Sequence, residues 1–252
     1  KEISEFIDKY HIGGIIFSKG SPYKQANITN QFQENSNIPL LIGMDAEWGL
    51  AMRLDSTYAF PYNLTLGAIQ DDNLVGEIGY QIGNHNRRLG VHINFAPVVD
   101  INTNPRNPII GNRSFGEDKY NVTQKASAFM KGMQEAGILA CGKHFPGHGD
   151  TDADSHKTLP TVDFSKDRIT QTELYPYKKL ISKGLNAVMV AHLNMPKLTE
   201  NDGLPSTLSP KVIQNQLKEE LGFSGLIISD AMNMKGVTSY KGDQPSIVKA
   251  FQ

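Results

Sequence analysis

Residues 138–156 read ILACGKHFPGHGDTDADSH, an apolar run of strand length that passes without a break into a stretch holding three histidines and three aspartates. A short buried run followed at once by chemistry-bearing polar residues is how a parallel strand ends at the functional face of a βα-repeat fold. Five more segments have the same apolar character: GGIIFS from Gly13, IPLLIGM from Ile38, VHINFAP from Val91, NAVMVAH from Asn186 and LIISDA from Leu226. Between them lie amphipathic stretches with apolar positions three or four apart, NLVGEIGYQIGNHNRRLG from Asn73, YNVTQKASAFMKGMQEAG from Tyr120 and SPKVIQNQLKEELG from Ser209. The last opens on Ser-Pro and closes on Gly222, a helix start and stop.

Polar signals follow nearly every strand, whereas an open doubly wound sheet would gather them at one switch point, and no G-x-G-x-x-G follows any strand. The expected fold is therefore α/β, a (β/α)8 TIM-type barrel, with residues 1–252 forming one domain. Six strands are two short of eight, so the first and last strands are expected to lie outside this chain and the natural protein to extend beyond it on both sides.

Twenty-five basic and 26 acidic residues leave a formal charge of -1, which offers no electrostatic reason to bind nucleic acid or an anionic membrane. No apolar run approaches the roughly 18 residues of a membrane span, and the opening KEISEFIDKY has no apolar signal core. A lone cysteine, Cys141, excludes an internal disulfide framework and leaves the compartment open.

Clustered histidines and aspartates at a strand end can donate, accept and transfer protons near neutral pH. The plainer alternative is a solvated turn with capping aspartates. His144 and His148 are four apart, but Pro146 and Gly147 between them oppose the helix that would put both rings on one zinc-binding face. Asp150, Asp152 and Asp154 alternate as in a calcium loop, yet Ser155 stands where that loop needs Gly and Thr161 where it needs Glu. No G-x-x-x-x-G-K-[ST] is present to cradle nucleotide phosphates. Neither a metal nor another cofactor is expected.

KHFPGHGDTDADSH at 143–156 together with LIISDAM at 226–232 resembles the signature of glycoside hydrolase family 3, in its exo-β-N-acetylglucosaminidase branch. The resemblance extends through GGIIFS, DAEWGLAMR from Asp45, NFAPVVDIN from Asn94 and GNRSFGED from Gly111. It implies Asp230 as nucleophile, His156 as acid/base on a loop, and Asp154 as the partner that orients the imidazole. It also implies that Asp45, Arg53, Arg113, Lys143 and His144 hold the hydroxyls of the terminal sugar, with His192 near the pocket floor in either a binding or a structural role. The implied reaction is a two-step displacement with retention, in which Asp230 forms a glycosyl-enzyme and His156 first protonates the leaving oxygen, then activates water. Terminal GlcNAc glycosides, including muropeptide fragments of peptidoglycan, are the implied substrates.

The segment DAEWGLAMR departs from the branch's usual DQEGGRVQR by placing Trp48 at a Gly position and Leu50 at an Arg position. Trp48 is either core or a stacking platform for sugar. The same variant tilts the expectation toward an exported or envelope-associated form over a cytoplasmic one. Four rival readings stand beside this one: another family 3 β-glycosidase, a glycoside phosphorylase, a metal-dependent hydrolase, and a non-catalytic carbohydrate-binding protein. The Asp154-Ser155-His156 triplet separates the branch from β-glucosidases and β-xylosidases, whose acid/base is a carboxylate from a later domain.

Overall fold

The structure, a computed structural model, describes residues 2–153, 158–240, 242 and 244–251. The six apolar segments form six strands: β1 Gly14–Phe17, β2 Leu41–Met44, β3 Ile93–Asn94, β4 Leu139–Phe145, β5 Ala187–Val190 and β6 Leu226–Ser229. Each strand pairs in parallel with the next one in the chain. Sequential order has no switch point, so the twist accumulates in one direction and the sheet curls into a half-barrel.

Helix α1 Glu2–Tyr10 precedes β1, and α2 Pro22–Glu34, α3 Asn63–Gly67, α4 Asp72–Arg88, α5 Lys119–Glu135, α6 Lys166–Gln171 and α7 Leu174–Ser182 lie in the connections between strands. Two of them carry the predicted amphipathic periodicity and begin on carboxylate caps, Asp71 accepting from the Asn73 amide ahead of α4 and Asp118 from the Asn121 amide ahead of α5. These two helices touch nearly backbone to backbone, because a Cβ on Gly132 would sit 1.9 Å from the Gly76 carbonyl oxygen. The helix expected after Ser-Pro spans Lys211–Glu220 and is wound as a π-helix, its last turn closed by the Leu221 amide on the Gln216 carbonyl. Among the described residues no helix is long and apolar enough to cross a membrane.

Alternation along the strands separates two apolar layers. Ala140, Phe145, Val188 and Val190 pack outward with Phe129, Met133, Leu174 and Tyr177 of the helices. Ile93, Phe95, Cys141, Ala187 and Met189 form a separate inner cluster, with Ile228 against it. Two residues beyond Gly43, Cys141 and Ile228 on this inner register come Asp45, Lys143 and Asp230. The period-2 pleat thus carries three charged side chains to the same end of the half-barrel. Its edges are open: Ile16 of β1 and Leu226 of β6 are 61% and 42% exposed.

Candidate active site

Asp45 and Glu47 follow β2 two residues apart, so extended backbone sends both carboxylates to one side. The Asn94 side chain fixes that backbone by accepting from the Ala46 amide at 2.9 Å and donating to the Ala46 carbonyl at 3.1 Å. Lys143, from the end of β4, donates to Asp45 Oδ1 at 2.7 Å and lies 2.8 Å from Glu47 Oε1. Arg53 reaches the other Asp45 oxygen at 2.6 Å, while Arg113 grips Glu47 with Nε at 3.0 Å and a terminal nitrogen at 2.7 Å.

Glu47 and Lys143 are almost wholly removed from water, at 0% and 2% side-chain exposure. Burial alone would raise the Glu47 carboxyl, but Lys143 and Arg113 outweigh it and hold the group down to about 2. Asp45 likewise sits well below the carboxylate range, its desolvation overcome by Lys143 and Arg53. Burial works against the charge of Lys143, and Glu47 and Asp45 reverse the effect, leaving its pKa raised. Asp45, Glu47 and Lys143 are therefore ionised at neutral pH, which makes the cluster a rigid set of donors and acceptors.

His144 joins the cluster through a break in register. β4 pairs with β5 as Lys143 to Met189 and then Phe145 to Val190, so His144 is an extra residue on β4. Such a bulge re-aims side chains that would otherwise alternate. His144 Nε2 lies 3.2 Å from an Arg113 nitrogen that can only donate, which puts the ring proton on Nδ1, 2.7 Å from Asp100. Asp100 is fully buried and also accepts from the backbone amides of His144 and His148, at 3.2 and 2.7 Å. Burial would raise its carboxyl, and the two histidines lower it. Gly149 lets the chain pass directly under Ile101, whose carbonyl oxygen would lie 1.9 Å from a Cβ. Further along, Asp150 pairs with Arg168 at 3.3 Å, and Arg168 also binds Glu173, which ties the root of the following loop to α6 and α7.

At the opposite side of this face, Asp230 continues the β6 ladder, its amide donating to the Val190 carbonyl at 2.9 Å. The side chain is half-buried, and Oδ1 accepts from the Ala231 amide at 2.7 Å. His192, after β5, donates from Nε2 to the Ala231 carbonyl at 3.1 Å and meets Thr207 Oγ1 through Nδ1 at 2.6 Å. A buried imidazole thus holds the peptide that follows Asp230. Burial pushes the Cys141 thiol up to about 12, and the Asp230 charge adds to that shift.

Of the residues singled out in the sequence, Asp45, Arg53, Arg113, Lys143 and His144 come together in one hydrogen-bonded cluster, and His192 and Asp230 form a second group. Asp154 and His156 lie outside the described residues. Glu47, Asp100 and Thr207 were not anticipated. Glu47 was legible as the second carboxylate of a D-x-E pair at a strand end, and Asp100 as the acid closing an apolar NFAPVVD run. Thr207 has no comparable signal, because its position depends on the path of a long loop.

Residues 1–252 match the profile of the Glycosyl hydrolase family 3 N terminal domain. The chain is 35% identical over 273 residues to β-hexosaminidase A of Pseudoalteromonas piscicida, covering 99% of this chain and 46% of that one. Among solved structures, a glycoside hydrolase family 3 β-N-acetylglucosaminidase from Paenibacillus sp. str. FPU-7 superposes with a TM-score of 0.93 at 39% identity, over 99% of this chain and 49% of that one. The β-glucoside phosphorylase BglX bound to 2FGlc superposes with a TM-score of 0.90 at 27% identity, over 94% of this chain and 44% of that one. The chain spans about half the length of these relatives. By the profile match along all 252 residues, the chain belongs to glycoside hydrolase family 3.

Proposed function

We propose that this domain is the catalytic part of a retaining exo-β-N-acetylglucosaminidase, acting on terminal GlcNAc of glycosides such as peptidoglycan fragments. The observation that carries the reading is the division of carboxylates at one end of the half-barrel. Asp45 and Glu47 are neutralised by lysine and arginine, while no ion pair among the described residues reaches Asp230. A carboxylate paired with two cations binds hydroxyls well and attacks carbon poorly; an unpaired one at a strand end keeps its electron pair available.

In the proposed reaction Asp45, Lys143, Arg53, Arg113 and His144 hold the hydroxyls of the terminal sugar, and the buried Glu47 fixes Lys143 and Arg113. Asp230 attacks the anomeric carbon as the leaving oxygen takes a proton from His156, and the reverse proton flow then activates water to release the sugar. Asp154 orients the His156 ring and stabilises its charged form. His192 fixes the peptide after Asp230 so that the carboxylate does not turn away. The six strands belong to an eight-stranded barrel in this reading.

Hydrolysis of aryl β-GlcNAc beside aryl β-glucoside tests the assignment, with Asp230→Ala and His156→Ala in parallel. GlcNAc release should dominate. His156→Ala should lose on the order of 10²-fold or more on an unactivated glycoside and much less on an aryl glycoside whose leaving group needs little protonation. Equal losses on both would remove His156 as the acid. A second reading, phosphorolysis, is favoured by the likeness to the β-glucoside phosphorylase and by an acid/base that carries no negative charge to repel phosphate. Sugar 1-phosphate formed in the presence of phosphate would establish it.

A further inference from the structure

Trp48 directly follows Glu47 and is the chain's one tryptophan. Its neighbour Gly49 has φ +90, a left-handed turn that ends the β2 extension there. The Trp48 ring is half-buried and packs edge-on to Tyr62, with centroids 4.7 Å apart and planes at 68°. Tyr62 is 47% exposed and immediately precedes Asn63, whose side-chain amide donates to the Arg113 carbonyl at 2.7 Å. Both aromatic residues are therefore chain neighbours of groups locked into the buried Glu47–Arg113 pair. Behind them the Phe60 amide donates to the Trp48 carbonyl at 3.0 Å, fixing the two segments side by side. Exposure rises outward from Glu47 through Trp48 to Tyr62.

We propose that Trp48 and Tyr62 form an aromatic ledge that takes the pyranose ring next to the terminal sugar, on the leaving-group side of the bond. The inference rests on reading the site as an exo-acting glycosidase. The buried charges mark the closed end, so the next ring must run toward solvent, the direction in which exposure rises from Glu47 through Trp48 to Tyr62. Aromatic rings match the apolar C–H face of a pyranose, while the neighbouring charges match its hydroxyl rim. A tryptophan serving only as core would instead be enclosed.

The test uses Trp48 emission and a comparison of two substrates. A sulfur-linked GlcNAc disaccharide should change Trp48 emission, and GlcNAc alone at saturation should leave it nearly unchanged. Trp48→Ala and Tyr62→Ala should raise KM for N,N′-diacetylchitobiose about tenfold while moving KM for methyl β-GlcNAc less than about twofold, and Trp48→Phe should restore most of the difference. Emission unchanged at disaccharide concentrations that inhibit hydrolysis, or equal KM changes on both substrates, would overturn the ledge and leave the glycosidase reading standing. Failure of the unaltered protein to cleave either glycoside would instead sink that reading, and the ledge with it.

Discussion

The two sides of the half-barrel's polar end hold their charges in opposite ways. After β2 and β4, Asp45, Glu47, Lys143, Arg53 and Arg113 neutralise one another, with Glu47 and Lys143 out of water. After β6, Asp230 is half-buried and its carboxylate takes a hydrogen bond from the next amide in its own chain. The first arrangement is rigid because Lys143 bridges Asp45 and Glu47 while Arg53 and Arg113 each clamp one of the two carboxylates. The second leaves the Asp230 carboxylate accessible and fixes its backbone through the Val190 carbonyl and His192. In the proposed reaction one side holds the sugar still, and the other reacts with it.

The largest expected effect lies on the reactive side. Asp230→Ala should lower kcat on the order of 10⁴-fold or more, the scale seen when a nucleophile is removed, while shifting Tm by only about 2 °C, since no buried charge loses its partner. Calorimetry beside the rate assay checks this; a large loss of Tm would erase the contrast between the two sides. His156→Ala comes next, its deficit growing with leaving-group pKa as described above. Glu47→Ala should then destabilise by about 3–5 kcal/mol, because Lys143 and Arg113 lose a shared counter-ion. Urea unfolding would measure it, and a loss under about 1 kcal/mol would mean that the cluster is solvated after all.

The smallest effect sharpens the same contrast by pH. The Glu47 carboxyl lies below its ordinary value of 4.5, at about 2, so its contribution to stability is fully present above pH 4.5 and disappears as pH falls toward 2. Asp45 and Asp100 are shifted in the same direction. Unfolding free energy should therefore drop across that window, and Glu47→Gln should flatten the drop. An unchanged slope in Glu47→Gln would show that other carboxylates carry it.

Much of this was legible in the chain because strands and their following loops are local. The six apolar segments became the six strands in sequential parallel order, and Asp45, Lys143 and Asp230 were placed by the two-residue period of β2, β4 and β6. Asp71 and Asp118 act within three residues of the amides they cap, so these caps are local features too. What escaped was long-range. Nothing near Asp100 states that it will meet His144 across 44 positions, and nothing in the β4 sequence announces the bulge that admits His144 to the cluster. Glu47 shares the local D-x-E pattern with Asp45, but its pairing with Arg113 spans 66 positions. Trp48 shows the converse: its departure from that pattern was visible at once, but its pairing with Tyr62 required the fold.

In the proposed reaction the unpaired carboxylate, and not a paired one, bonds to the sugar. Incubation with a 5-fluoro glycosyl fluoride of GlcNAc, which forms its glycosyl-enzyme faster than it loses it, followed by peptide mass spectrometry, tests this directly. The adduct should map to the LIISDAM peptide at Asp230 and be absent from Asp230→Ala. A stable adduct on Asp45, Glu47 or any other carboxylate, or undiminished labelling of Asp230→Ala, would contradict the account.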